Sequence, residues 1–131
     1  LTFIAHAVKA SQTRSPIYSA HIGKVPREDL VAYVADFLLQ LDDIRWSIVS
    51  GQVGDELIFS VRNSGYSRSA GEFVKMFFEK IGKAGGHRAM AKAIVPIGMF
   101  RKKFGDLNSS QISALLLTLA TEFLTNSHRN E

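Results

Sequence analysis

Two consecutive β-rich runs constrain the fold more than any other feature of the chain. "IRWSIVSG" (residues 44–51) and "ELIFSVRNSG" (residues 56–65) are joined by the short connection "QVGD". Two such runs around a glycine-containing connection predict a β-hairpin. Because side chains alternate along a strand, the second run divides into two sets: Leu57, Phe59 and Val61 on one face, and Ile58, Ser60 and Arg62 on the other. The apolar set requires a partner layer to cover it.

Helical patterns before and after the hairpin supply that layer. Beyond Pro26, apolar residues recur at helical spacing: Leu30, Val31, Val34, Phe37, Leu38 and Leu41. A second helix is predicted from Ser69, which forms an S-x-x-E capping box with Glu72, with an apolar stripe of Ala70, Phe73, Val74, Phe77 and Ile81. A last helix begins at Ser109 or Ser110, with a stripe of Ile112, Leu115, Leu116, Leu119 and Phe123.

Strands are also predicted at residues 2–8, 17–23 and 92–97, the last after a short helical turn at residues 88–91. The order β-β-α-β-β-α-β-α predicts an α/β fold of the mixed α+β kind. We expect a mixed sheet of about five strands covered by about three helices.

The bulk composition limits the classes of protein. A length of 131 residues predicts a single domain over residues 1–131. The net charge of +4 favours an anionic partner. The absence of cysteine excludes disulfides and thiolate metal sites. No apolar run is long enough to span a bilayer and no signal peptide is evident, so we expect a cytoplasmic protein without a membrane partner. Because the chain begins with Leu1, we expect it to be excised from a longer protein.

The stretch "GKAGGHRAMA" (residues 82–91) places glycines beside hydrogen-bond donors. We expect Gly85 and Gly86 to form a turn whose N–H groups offer a nest to an anion, with His87 donating or exchanging a proton. Arg62, on a solvent-facing cleft wall, would give a bidentate fork. If these groups meet at one edge of the sheet, they form a cup of positive charge for a phosphate or carboxylate. The candidate binding residues are Ser60, Arg62, Arg68, Gly85, Gly86, His87 and Arg88.

Structural explanations remain open for each of these features. A glycine pair after a helix also fits a simple C-cap and turn. The basic run "RKK" at residues 101–103 fits a solvated face or a rim that follows a nucleic-acid backbone. Phe100 and Phe104 fit core packing or base stacking. His6, His21 and His128 fit surface or structural positions.

Catalytic patterns are absent from the sequence. No histidine and carboxylate cluster has metal-ligand spacing, and no G-x-S-x-G elbow occurs. Asp42 and Asp43 fit a cap and turn. The residues therefore predict binding and not catalysis, and we assign neither a catalytic residue nor a metal ligand.

Residues 59–97 resemble the DHHA1 domain, the C-terminal domain of the DHH phosphoesterases, which include the RecJ exonuclease and the oligoribonuclease/pAp-phosphatase group. The resemblance rests on a strand ending in Ser60-Val61-Arg62, a helix, and then Gly85-Gly86-His87, followed by small residues and a strand. The small residues are Ala89, Ala91 and Ala93. Lys92 stands where many members have glycine. The alanyl-tRNA synthetase version of the domain matches less well, because its glycine-rich turn tends to lack the histidine.

The resemblance implies a substrate held in a cleft between two domains. It makes Gly85, Gly86 and His87 substrate contacts and Arg62 a phosphate contact. In the family, manganese or magnesium is bound by an N-terminal domain that carries an Asp-His-His motif. This chain has no Asp-His-His motif, so no cofactor is expected in it. The chain alone is therefore expected to be inactive. The implied partners are a single-stranded oligonucleotide, a nucleotide phosphate or another phosphate ligand, the N-terminal DHH domain, and a second copy in a homodimer. The rival hypothesis is a regulatory or oligomerisation domain that binds no phosphate.

Overall fold

A computed structural model describes residues 11–126 of the chain. In this part the chain forms six strands and four helices: β1 (Gln12–Arg14), β2 (Ile17–Lys24), α1 (Asp29–Leu38), β3 (Trp46–Val53), β4 (Glu56–Asn63), α2 (Ala70–Phe78), β5 (Lys83–Gly86), β6 (Met90–Pro96), α3 (Ile97–Phe104) and α4 (Ser109–Asn126). The strand predicted at residues 2–8 lies outside the described residues. No helix of the described part is long and apolar enough to cross a membrane.

The strands form one mixed sheet in the order β1-β2-β3-β4-β6-β5. β2 and β3 pair in parallel, whereas the other neighbouring pairs are antiparallel. The parallel pair requires a crossover, and α1 provides it. Val53 pairs with Glu56 across a two-residue turn, so the hairpin predicted from residues 44–65 is confirmed. The predicted α/β fold with a mixed sheet is confirmed as well.

One side of the sheet, which we call the three-helix face, is covered by α2, α3 and α4. Leu57, Phe59 and Val61 of β4 are buried here, as their alternation predicts. Aromatic rings make up much of this core: Phe59 stacks on Phe78 with ring centroids 4.4 Å apart, and Trp46 meets the edge of Phe73 at 5.8 Å. Helix α4 completes this core with Ile112, Leu116, Leu119 and Phe123, so most of its predicted apolar stripe is buried.

The opposite side, which we call the one-helix face, is covered by α1. Val49 of β3 and Ile58 of β4 pack beneath α1 in a smaller apolar cluster. Toward β6 and β5 this face instead carries Met90 and Lys92, which are exposed. The one-helix face is thus half covered, and this difference decides where a ligand can approach.

Several predicted boundaries were wrong. Residues 9–16, which read as a loop between the strands predicted at residues 2–8 and 17–23, contain β1, a short and largely exposed edge strand that pairs with β2. Residues 83–86 form the edge strand β5 instead of a turn, and Met90 already belongs to β6, so the helical turn at residues 88–91 is wrong. Helix α3 was not predicted, because among its residues only Phe100 is buried. Helix α1 ends at Leu38, which leaves Leu41 outside the predicted stripe and 39% exposed.

Other local predictions were confirmed. Ser69 Oγ accepts a hydrogen bond from the Glu72 N–H at 3.4 Å at the start of α2. Asp42 and Asp43 lie in the turn after α1. Phe100 packs in the core against Phe59, so its role is core packing. His21 is buried with Nδ1 2.7 Å from Ser50 Oγ, whereas His6 and His128 lie outside the described residues.

Candidate ligand-binding cavity

An open cavity of about 440 Å³ lies on the one-helix face, between α1 and strands β4, β6 and β5. Five of the seven candidate residues line it: Ser60, Arg62, Gly85, Gly86 and His87. Ser60 and Arg62 come from β4 and His87 from the connection between β5 and β6. The structure therefore brings residues that are far apart in the sequence to one concave surface.

Arg62 is the most constrained side chain of this cavity. Its Nε donates to Asp36 Oδ1 of α1 at 2.6 Å, and its Nη1 donates to the Val61 carbonyl at 3.1 Å. Nη2 has no partner among residues 11–126. The residue is only 8% exposed, so the expectation of a solvent-facing wall was wrong. The two bonds fix the plane of the guanidinium and leave Nη2 as a donor for a ligand.

Ser60 lies one step along the same strand face. It is 3% exposed and pairs with Lys92 across the β4–β6 ladder. Within the described part of the chain, its hydroxyl has no hydrogen-bond partner. Because no buried side-chain oxygen or nitrogen of the described residues lacks a partner, the Ser60 hydroxyl must reach the open cavity, where it can donate to a ligand oxygen.

His87 enters the cavity with a defined hydrogen-bonding pattern. Its Nδ1 accepts a hydrogen bond from the Ala89 N–H at 3.3 Å. In a neutral imidazole one nitrogen accepts and the other carries the hydrogen. The Ala89 contact therefore makes Nε2 the donor, and this is the group that a phosphate oxygen requires.

The glycine pair does not form a nest. Gly85 and Gly86 belong to β5, where successive N–H groups point in opposite directions, so a converging pair of amides is absent from this segment. The prediction of a glycine turn that presents its amides was wrong. The two glycines instead have separate steric roles.

Gly86 is required by the fold. Its φ of +152° is unfavourable for other residues, and an added Cβ would lie 2.4 Å from the Met90 carbonyl oxygen. Gly85 differs, because a Cβ added there would meet no atom within 4 Å. Since Gly85 lines the cavity, its missing side chain keeps the cavity open.

The segment after β5 is docked onto the start of α2. The N–H groups of Ala70 and Gly71 donate to the carbonyls of Arg88 at 3.0 Å and His87 at 2.9 Å. The approach is close, since a Cβ on Gly71 would lie 2.8 Å from the Gly86 carbonyl oxygen. The donors of this helix terminus are therefore used within the protein. Sequence reasoning missed Gly71, whose partner is 15 residues away in the sequence.

Arg68 and Arg88 do not line the cavity. The guanidinium of Arg68 lies 3.9 Å from the centroid of the Phe123 ring, and its Nη1 donates to the Phe123 carbonyl at 3.1 Å. Arg88 Nη2 donates to the Ser67 carbonyl at 2.6 Å. Both side chains therefore hold the loop before α2 in place. The expectation that all seven candidate residues meet at one place was wrong.

The cavity is also less positive than expected. Glu28, which directly precedes α1, and Asp29, its first residue, lie in the cavity wall together with Arg62 and Lys92. Glu28 forms an ion pair with Lys92, and Asp36 forms one with Arg62. The predicted cup of positive charge was wrong, because the Glu28 and Asp36 carboxylates neutralise its cations. The cavity instead offers side-chain donors that have no partner within residues 11–126.

Patterns in the sequence could have indicated the residues that were missed. Glu28, Ala32 and Asp36 are spaced by four, which places them on one side of a helix. Lys92 alternates with the buried Ala91 and Ala93 of β6, so it must lie on the other face. No pattern within a single segment predicts that α1 docks over β4, although this docking brings the acidic residues of the helix to the cations of the sheet.

The described residues contain no group of three or more histidine, cysteine, aspartate or glutamate side chains that could hold a metal. Arg101, Lys102 and Lys103 are exposed, as expected for a solvated face.

A comparison with curated proteins finds a relative in sequence. No protein-family model matches the chain. A protein of Methanocaldococcus jannaschii, described only as uncharacterized, is 34% identical over 82 residues. The match covers 63% of this chain but only 16% of that protein, so the chain corresponds to a small part of its relative.

Solved structures are similar in fold. An exopolyphosphatase-related protein from Bacteroides fragilis matches with a TM-score of 0.62 and 10% identity, over 92% of this chain and 34% of its own. A pGpG-specific phosphodiesterase from Vibrio cholerae matches with a TM-score of 0.54 and 14% identity, over 91% and 38%. The C-Ala domain of alanyl-tRNA synthetase from Aquifex aeolicus matches with 0.52 and 12% identity, over 73% and 98%.

These similarities establish the fold. The chain has a DHHA1-like fold, and the resemblance seen in residues 59–97 is confirmed at this level. The fold is shared with the alanyl-tRNA synthetase version of the domain. Two of the neighbours are much longer, and this chain matches about a third of each.

Proposed function

We propose that the chain is the substrate-binding domain of a larger DHH-type phosphoesterase, and that the cavity on the one-helix face holds the phosphate and nucleotide end of its substrate. One observation carries this proposal: donors of Arg62, Ser60 and His87 that lack protein partners within residues 11–126 all border one cavity. Its volume of about 440 Å³ is within the range of small-molecule sites.

The donors suit a phosphate group. Arg62 Nη2 supplies a charged hydrogen bond, the strongest kind available to a phosphate oxygen. Asp36 already holds the guanidinium in place, so binding sacrifices little side-chain freedom. The Ser60 hydroxyl and His87 Nε2 add two neutral donors from other directions.

The rest of the cavity suits the nucleoside. Ala32 of α1, Gly85 of β5 and Met90 of β6 give it apolar walls. Met90 is 45% exposed, and its flexible thioether side chain can pack against a ring. We therefore propose a nucleotide phosphate or the end of a single-stranded oligonucleotide as the ligand.

Hydrolysis is assigned to the rest of the parent protein. The described residues offer no metal cluster, so we propose that manganese or magnesium and its ligands belong to an N-terminal DHH domain. The role of this chain is to bind and orient the substrate. The names of two structural neighbours, a phosphodiesterase and an exopolyphosphatase-related protein, support a substrate that carries phosphate groups.

The test uses a variant that fills the cavity. Leucine at position 85 has space for its side chain, since nothing lies within 4 Å of the added Cβ. Gly98 in α3 also has open space but does not line the cavity, so Gly98→Leu is a matched control. We expect calorimetric titration with pAp at low salt to show binding by wild type and Gly98→Leu and at least tenfold weaker binding by Gly85→Leu.

Two outcomes would contradict the proposal. Equal affinities of Gly85→Leu and wild type would exclude this cavity as the site. No binding by wild type to pAp or a 5′-phosphorylated trinucleotide at millimolar concentration would favour the regulatory or oligomerisation hypothesis. Unchanged melting temperatures in both variants would show that any loss of binding is local.

A further inference from the structure

An ion pair crosses the cavity from α1 to the sheet. Glu28, at the N-terminal boundary of α1, contacts the ammonium of Lys92 in β6. Their side chains are 50% and 45% exposed, so the pair is accessible to solvent. The Glu28 side chain makes no capping bond to its own helix, and its carboxylate is committed to Lys92 instead.

Lys92 belongs beside the donors described above. It pairs with Ser60 on one side and Gly85 on the other, and both residues line the cavity. A phosphate held by Ser60 would therefore be attracted by the Lys92 ammonium. Glu28 and the phosphate are both anions, so they compete for the same cation.

Asp29 shows what a neighbouring carboxylate does without this contact. It also lines the cavity, but its carboxylate pairs with Arg27 at 3.1 Å, and both of those side chains are about 70% exposed. Glu28 and Asp29 thus place equal charges at adjacent positions, and only Glu28 holds a cation that a ligand needs.

We propose that Glu28 is a specificity-determining residue that acts as a built-in competitor for the ligand. This inference rests on the proposed function. Without ligand, Glu28 neutralises Lys92; when a phosphate binds, Lys92 exchanges the carboxylate for the phosphate. A terminal phosphomonoester carries a charge of about −1.5 to −2 at pH 7, whereas a phosphodiester carries a single charge. The doubly charged group displaces Glu28 more readily, so the cavity selects the phosphorylated end of a strand over an interior phosphate.

The test compares two variants that remove the same charge. We expect Glu28→Gln to tighten pAp binding by about fivefold, near the upper limit for an exposed ion pair, and Asp29→Asn to change it by less than about twofold. Adenosine, which has no phosphate, serves as the control ligand, and we expect neither substitution to change its affinity. In a Lys92→Met background, Glu28→Gln is expected to lose its effect, because the shared cation is gone.

The outcomes separate this inference from the proposed function. Binding of pAp by wild type with no gain in Glu28→Gln overturns the competitor role and leaves the proposed function in place. Equal gains in both variants also overturn it, because they indicate a general field effect. Weaker binding by Glu28→Gln would overturn the competitor role as well, because it would make Glu28 a ligand contact. Binding by neither wild type nor Glu28→Gln overturns both proposals.

Discussion

The three-helix face and the one-helix face belong to the same strands but are closed to different extents. On β4, Phe59 lies under α2 and α3 in an aromatic core, whereas its neighbour Ser60 faces the cavity beside α1. The first face buries rings against rings. The second buries Val49 and Ile58 beneath α1, and beside this small cluster it carries the ion pairs Arg62–Asp36 and Lys92–Glu28.

This difference shows how one sheet both stabilises the domain and presents a binding surface. Burial of large apolar side chains contributes most to stability, at about 1.5–3 kcal/mol each. Exposed ion pairs such as Glu28–Lys92 contribute roughly 0–1 kcal/mol. Substitutions on the three-helix face should therefore change folding, and substitutions around the cavity should mainly change binding.

The largest expected effect is on the three-helix face. Phe73 is fully buried, with its ring centroid 5.5 Å from that of Phe123. We expect Phe73→Ala to lower the free energy of unfolding by roughly 3–5 kcal/mol, because it leaves a cavity in the core. Met90→Ala, on the one-helix face, should change it by about 0.5 kcal/mol or less. Urea unfolding with matched m-values measures both, and similar losses would contradict the contrast.

Gly85 and Gly86 are neighbours in β5, but we expect substitutions at the two positions to affect stability differently. We expect Gly86→Ala to destabilise the protein by roughly 2–4 kcal/mol, because a Cβ would collide with the Met90 carbonyl oxygen at a positive φ. Gly85→Ala should change stability by about 0.5 kcal/mol or less, since its Cβ points into open space. Thermal unfolding compares the two variants, and equal stabilities would show that the close approach at Gly86 is relieved by small movements of the backbone.

Binding distinguishes the buried arginine of the cavity from an exposed one. Arg62→Ala should weaken binding of pAp by roughly 1.5–3 kcal/mol, as expected for a lost charged hydrogen bond. Arg101→Ala should lose roughly 0–1 kcal/mol and mainly alter the salt dependence. The fold should survive Arg62→Ala, because Asp36, its partner, is 57% exposed and can be hydrated. Calorimetry gives both affinities, and a folded Arg62→Ala variant that binds like wild type would argue against the site.

The smallest expected effect is that of added metal ions on hydrolysis by the purified chain. We expect no hydrolysis of pAp by the purified chain when manganese is added, because a two-metal site needs several carboxylates or histidines and residues 11–126 contain no such group. Phosphate release is the measurement. Turnover that depends on manganese and disappears in His87→Ala would overturn this expectation, because it would show that hydrolysis takes place at the cavity on the one-helix face.

Local patterns predicted the central strands and two of the helices of the three-helix face, but not α3. Alternation alone placed Phe59 and Ser60 on opposite faces of the sheet, and the S-x-x-E pattern located the start of α2 at Ser69. These features depend on residues within a few positions of each other. The same alternation brought Ser60 and Arg62 to one surface.

The cavity was predicted less completely, because its shape depends on distant contacts. Two adjacent glycines indicate a turn, but Gly86 continues a strand here because Gly71 of α2 lets its backbone pass closely. The charge of the cavity depends on where α1 docks, which brings Glu28 to Lys92 and Asp36 to Arg62. Neither pairing has a signature within a single segment of the sequence.

The docking of His87 and Arg88 onto α2 makes the helix a reporter for the cavity. The amide hydrogens of Ala70 and Gly71 are protected from exchange with solvent only while the carbonyls of Arg88 and His87 accept them. Opening of the segment around His87 therefore exposes two helical amides that do not line the cavity. A ligand that orders His87 would slow deuterium uptake at Ala70 and Gly71, so exchange at the start of α2 follows events on the opposite side of the sheet.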